Sequence, residues 1–209
     1  MTPIYLDIET APATDNEWSA HLALRGLRDG EDSEALRAES SLTGLARLLT
    51  VGVAVDDGPV EVLGDATTST PDVLAALVEY LRPRWLGSAR IVGWNVSGFD
   101  VPMLAQLALR HGHPRFARSI TGGLCAKPWE LPVVDLMRLW PSPSGEYRKR
   151  GHATQQEVCR RLGIPVQSGA LGEDMAARLA AGDWDSIREH QRQDVEQVRE
   201  IHRIMREAM

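Results

Sequence analysis

Apolar and polar positions alternate in two periods along this chain. Thr2 to Ile8 is a short β-prone run in which Ile4, Leu6 and Ile8 share one face. Leu48 to Val55 reads as a buried strand, and Asp56-Asp57-Gly58-Pro59 reads as a turn into a third strand, Val60 to Leu63. Between the first two strands, Glu17 to Ser40 is charged and rich in Ala and Leu, which predicts one or two exposed helices. Pro71 opens a helix over Asp72 to Arg82, with Val73, Leu74, Leu77, Val78 and Leu81 on one side. Ile91-Val92-Gly93 is a very short fourth strand and Leu131 to Val134 a fifth. Further helices are predicted over Pro102 to His111, Thr154 to Leu162, Gly172 to Ala181 and Trp184 to Glu207.

That order predicts an α/β fold with a mixed five-stranded sheet flanked by helices. Short connections make the first three strands antiparallel, and later strands return in parallel through helices. Residues 1–209 read as a single domain. Ligand sites in such sheets gather at the carboxyl ends of strands. Asp7 and Glu9 fall at the end of strand one, and Asn95 and Asp100 follow strand four.

Composition narrows the function classes. An apolar share of 43% and a charged share of 25% exclude a disordered, collagen-like or coiled-coil chain. Leu42 to Val55 is too short and too polar to span a bilayer, and Cys125 and Cys159 are too few for a disulfide framework. The first residues show no secretory pattern, so a cytoplasmic protein without a membrane partner is expected. A net charge of −6 argues against gripping duplex DNA by phosphate neutralisation alone, so nucleic-acid binding would need a local site.

Three acidic segments supply candidates for such a site, and each has a plain reading of its own. Asp7-Ile8-Glu9 sets two carboxylates on one face of an extended chain. At this acid content about four acid-x-acid patterns arise by chance, so strand-end solvation competes with function. Asp100, in Gly93-Trp94-Asn95-Val96-Ser97-Gly98-Phe99-Asp100, is suited to cap the helix that follows. His190 and Asp194 stand one turn apart on the last helix, where a surface pair is the default.

Taken together, the three segments resemble the 3′→5′ exonucleases of the DEDD superfamily, and most closely the proofreading domain of family B DNA polymerases. Leu6-Asp7-Ile8-Glu9-Thr10 matches the first motif of that family. Val92-Gly93-Trp94-Asn95 through Phe99-Asp100-Val101-Pro102 matches the second, and Ile187 through His190 to Asp194-Val195 the third. The resemblance implies a ribonuclease H-like fold and two divalent cations, Mg²⁺ or Mn²⁺, held by Asp7, Glu9, Asp100 and Asp194. It implies that Glu9 and the Thr10 backbone touch the terminal 3′-hydroxyl, and that Asn95 and Phe99 shape the pocket for the last nucleotide. The expected substrate is single-stranded DNA or frayed 3′ ends, with replication or repair proteins as partners. With 209 residues leaving no room for a polymerase module, any proofreading is expected to act in trans. An RNA-trimming exonuclease and a non-catalytic nucleic-acid-binding module of the same fold are the rival readings.

One position departs from the pattern. The tyrosine branch carries Tyr-x₃-Asp in the last motif and the histidine branch His-x₄-Asp, whereas this chain has histidine at the tyrosine spacing. One residue on a helix is about 100° of rotation, so His190 points where the tyrosine would. Its reference pKa of about 6.5 makes it the better base, and orienting or deprotonating the attacking water is its expected role. Other groups receive plainer readings. Asp135 is expected to cap Leu136-Met137-Arg138, and Trp94 and Cys159 to pack in the core. The basic stretch Ser144 to His152 reads equally as a backbone-tracking loop or a solvated one.

Overall fold

A computed structural model describes residues 2–14, 18–19, 46–84, 89–122, 132–140, 153–166 and 173–208. Most of the helical stretch expected over 17–40, the basic stretch 144–152, and Leu42, Cys125 and Leu131 lie outside them. Five strands form one sheet: β1 (Pro3–Ala11), β2 (Arg47–Val55), β3 (Glu61–Leu63), β4 (Arg90–Gly93) and β5 (Val133–Asp135). Their order is β3-β2-β1-β4-β5. β1 runs antiparallel to β2, and β2 to β3, while β4 runs parallel to both β1 and β5. This is the mixed sheet expected from the connection lengths.

The helices are α1 (Thr70–Leu81), α2 (Asp100–Arg110), α3 (Pro114–Ile120), α4 (Leu136–Leu139), α5 (Gln155–Leu162), α6 (Glu173–Ala181) and α7 (Trp184–Glu207). Most starts carry a local reason. The Asp72 carboxylate accepts from the Ser69 amide and hydroxyl ahead of α1, with Pro71 in the first turn. Thr154 and Glu157 form a capping box at α5, which stops at Gly163 in a left-handed conformation. Asp183 accepts from the Ser186 amide at the head of α7. α3 was not foreseen: it is only seven residues long, and only Ala117 and Ile120 are buried.

Alternation along the strands divides the interior into two cores. Ile4, Leu6, Ile8, Val51 and Val53 face α1 and α2. Tyr5, Ala54 and Val92 face the other way, against Val195, Val198 and Ile201 of α7 and Val158 and Cys159 of α5. Cys159 is therefore packing, as expected, while Trp94 is only half-buried beside the second core. Among the described residues no helix is long and apolar enough to cross a membrane.

β1 runs further than its apolar pattern indicated, through Ala11, because β2 continues to pair with it past a bulge between Glu9 and Thr10. Asp7 and Glu9 thus lie within the strand and not at its end. β4 pairs with β1 only from Pro3 to Tyr5. The stretch bearing the carboxylates is therefore hydrogen-bonded by a strand on one side only.

The second face of β2 is unusually small where α7 crosses it. Thr50, Gly52 and Ala54 point toward the helix, and Gly52 stands opposite Asp7. A Cβ at Gly52 would lie 2.7 Å from Val195 Cγ2 and 2.9 Å from Gln191 Cγ. Gly52→Ala is accordingly expected to lift α7 off the sheet at a cost of about 1–3 kcal/mol, read by urea denaturation. Wild-type stability in that variant would show that the close approach is not needed.

Candidate active site

Asp7 and Glu9 point to the α7 face of the sheet, and the helix meets them with a polar residue in its apolar seam. Gln191 is fully buried between Ile187 and Val195. Its Nε2 donates to Asp7 Oδ2 at 2.5 Å, and its Oε1 accepts from Thr50 Oγ1 at 2.8 Å. Because the Thr50 hydroxyl occupies the carbonyl side of the amide, the NH₂ side is turned toward Asp7. Sequence reasoning passed over both residues. The available signal was a glutamine at a core position of an amphipathic helix, opposite a threonine in a strand of valines.

The loop after β4 brings the next carboxylate. Asn95 adopts φ 57°, and its carbonyl accepts from the Gly98 and Phe99 amides, coiling the chain tightly before α2. A Cβ at Gly98 would sit 2.4 Å from Asn95 Oδ1, so any larger residue there would displace the Asn95 side chain. Asp100 is buried, but not as the expected cap: Phe99 holds the cap position and Asp100 is the first residue of α2. Its Oδ1 accepts from the Ile8 amide at 3.1 Å. β4 no longer pairs with β1 at Ile8, so the carboxylate takes the acceptor place that a longer strand would have filled.

Asp135 departs from its expected role in the same way. It occupies the position before α4, yet its side chain makes no cap bond. Instead it accepts from the Asn95 amide at 3.1 Å, the Ser97 amide at 3.1 Å and the Ser97 hydroxyl at 2.5 Å. β5 thereby anchors the loop that carries Asp100.

His190 and Asp194 complete the group. His190 Nε2 lies 3.3 Å from Asp194 Oδ2 and 3.8 Å from Glu9 Oε1. The pair is not a solvated surface contact, since the His190 side chain is 18% exposed and Asp194 21%. Gln155 Nε2 donates to the Asp194 carbonyl at 3.1 Å, holding this turn of α7 against α5. Thr10, Asn95 and Phe99 are half-buried and flank the carboxylates along the chain: Thr10 follows Glu9 at the bulge, and Phe99 packs on the first core directly before Asp100.

Burial of the carboxylates dominates the electrostatics, and like charge adds to it at Asp7 and Glu9. Burial, and then the charges of Asp194 and Asp100, push Glu9 up to about 8, with Arg178 opposing. Burial pushes Asp100 up to about 7, against the hydrogen bonds from its own amide and that of Ile8. Asp7 is held well above the usual carboxylate range by burial and by the charges of Asp100, Asp194 and Glu9, which the Gln191 hydrogen bond only partly offsets. Burial also raises Asp194, with His190 pulling the other way. The donor set fits a divalent cation. It offers hard carboxylate oxygens and one imidazole nitrogen, and Glu9, His190 and Asp194 each present an atom within 4.8 Å of the other two.

The sheet order, the antiparallel first three strands and the long helix over β1 and β2 define a ribonuclease H-like domain. The family described as "Predicted 3'-5' exonuclease related to the exonuclease domain of PolB" matches residues 45–198. The chain belongs to that family. The matched span holds Asp100, His190 and Asp194, while Asp7 and Glu9 precede it. A family B DNA polymerase from the hyperthermophilic archaeon Pyrobaculum calidifontis shares the fold, with a TM-score of 0.60 and 18% identity. The similarity covers 95% of this chain and 23% of the polymerase. No curated protein matches the chain.

Two expectations follow from the geometry. For an acid whose pKa is raised by folding, stability is full below its unfolded pKa and is lost as pH rises through the folded value. The metal-free Tm should therefore fall as pH rises from about 4 through 8, the window bounded by Glu9 and Asp100. Added Mn²⁺ should restore more stability at the alkaline end than at the acidic end, and a flat pH profile in scanning calorimetry would contradict this. Separately, Gln191→Leu leaves Asp7 and Thr50 without their shared partner. It should cost about 1–3 kcal/mol in urea denaturation and about tenfold in Mn²⁺ affinity by calorimetric titration, with Thr50→Val milder in both.

Proposed function

We propose that this chain hydrolyses phosphodiester bonds from the 3′ end of single-stranded DNA, using two divalent cations, Mg²⁺ or Mn²⁺. The observation that carries the reading is the convergence of Asp7, Glu9, Asp100 and Asp194 in one cluster, where burial raises all four and the neighbouring carboxylates raise Asp7 and Glu9 further. A binding module would gain nothing from that arrangement, since four crowded carboxylates destabilise the fold unless cations separate them. When bound, the cations supply Lewis-acid neutralisation of the charge that develops on the phosphate. Asp7, Glu9 and Asp194 would hold one and Asp7 the second, with Asp100 assisting.

The rest falls to the protein's own groups. Gln191 fixes the Asp7 carboxylate through Oδ2. Because the donor is a neutral amide, it brings no positive charge to compete with a cation at Asp7. Glu9 and the Thr10 backbone, past the bulge, are assigned to the terminal 3′-hydroxyl. Asn95 and Phe99, on the coiled loop before Asp100, are assigned to the last base and sugar. His190 acts through Nε2, the ring nitrogen that approaches both Glu9 and Asp194.

A net charge of −6 favours a single strand fed into a local site over a duplex held along its backbone. The polymerase with the same fold supports DNA as the substrate. It also points to replication or repair proteins working on the same 3′ ends as the partner class. The test is degradation of a 5′-labelled DNA oligonucleotide with Mg²⁺, with Mn²⁺ and with EDTA, beside an RNA copy. A cation-dependent ladder shortening from the 3′ end is expected, reduced to background by Asp7→Asn. Faster loss of the RNA copy would make the protein an RNA-trimming enzyme. Intact oligonucleotides under every condition would leave a nucleic-acid-binding module.

A further inference from the structure

We infer that His190 is a direct cation ligand and not the base that deprotonates the attacking water. The inference rests on the reading that the carboxylate pocket holds cations. Around an ion bonded at about 2.1 Å, adjacent octahedral ligands stand about 3 Å apart and opposite ones about 4 Å. Asp194 Oδ2 at 3.3 Å and Glu9 Oε1 at 3.8 Å from His190 Nε2 fall between the adjacent and opposite spacings of such a shell. One atom from each of the three residues also lies within 4.8 Å of the other two. A base needs its lone pair aimed at a water. This nitrogen lies within 3.8 Å of two carboxylate oxygens, in a group of three residues able to share one ion.

The helix makes the placement durable. His190 and Asp194 occupy successive turns of α7, and the residues that follow each of them, Gln191 and Val195, are fully buried against the sheet. The Asp194 carbonyl is tied to Gln155. The backbone positions that project both side chains are therefore fixed by that seam.

The chemistry of the donors then sets the class of ion. Mg²⁺ favours oxygen ligands and retains its waters, whereas Mn²⁺, Co²⁺ and Zn²⁺ accept an imidazole nitrogen readily. A tyrosine at this position would offer a neutral phenol at physiological pH, with no comparable ligand. The histidine therefore biases the site toward Mn²⁺ and its later neighbours over Mg²⁺.

The deciding experiment is pulsed EPR on the full chain loaded with substoichiometric Mn²⁺. Electron spin-echo modulation from a coordinated imidazole ¹⁴N is expected in the wild type and should vanish in His190→Tyr. Calorimetric titration should show Mn²⁺ affinity reduced about tenfold in that variant, with Mg²⁺ affinity changed by less than about threefold. The metal-free Tm of His190→Tyr serves as the folding check, and the wild-type spectrum decides without any variant. Bound Mn²⁺ without nitrogen modulation, or modulation that persists in His190→Tyr, would overturn the assignment and leave an all-oxygen site. A wild-type spectrum identical to that of free aqueous Mn²⁺ would overturn the cation pocket itself and the assignment with it.

Discussion

The site depends on how closely one helix lies over two strands. α7 touches β2 at Gly52, where there is no side chain to hold it away. That contact sets the height of the helix above the sheet, and the height sets everything on the helix that faces β1. Gln191 reaches Asp7 because it starts beside Gly52, and His190 and Asp194 reach Glu9 because they lie on the same two turns. The valines at 51 and 53 play no part on this face, since alternation sends them to the opposite core. A strand of uniformly large residues would have been a more conventional wall and a poorer platform.

The same closeness carries an electrostatic cost. Asp7, Glu9, Asp100 and Asp194 come from three distant parts of the chain and are held together by packing that does not yield to their repulsion. The neighbouring elements bear the strain. Asp100 is held by the Ile8 amide, its loop by Asp135, and the α7 turn by Gln155. Each contact lies just outside the carboxylates and uses a backbone group that the short β4 and β5 strands leave unpaired, or a helix carbonyl. Sites that concentrate like charge are commonly less stable than their scaffolds would allow, because function and stability draw on the same positions.

Much of this was legible in the chain. Ile4, Leu6 and Ile8 marked the first strand and put Asp7 and Glu9 on one face, and the succession of strands and helices indicated a mixed sheet. The three carboxylate segments were found because their residue types and order match a known family. What stayed hidden was relational. Alternation in β1 gave no sign that β2 would extend the strand beyond Ile8. Asp100 and Asp135 each stood in front of a helix and read as caps. Which backbone amides lacked partners depended on where β4 and β5 stop pairing, which no local pattern encodes. Gln191, Thr50 and Gly52 are unremarkable singly, and their meaning arises from a contact between residues up to 184 positions apart.

The chain of hydrogen bonds from Thr50 through Gln191 to Asp7 also constrains how such a protein can drift. Its links have a direction: hydroxyl to amide oxygen, amide nitrogen to carboxylate. Replacing Gln191 first strands two buried polar groups at once, whereas replacing Thr50 first strands only the amide oxygen. The order of substitution therefore matters, and the effects at the two positions are non-additive. An evolutionary path that exchanges this glutamine is most accessible when the threonine has already gone. Two positions 141 residues apart thus behave as one heritable unit.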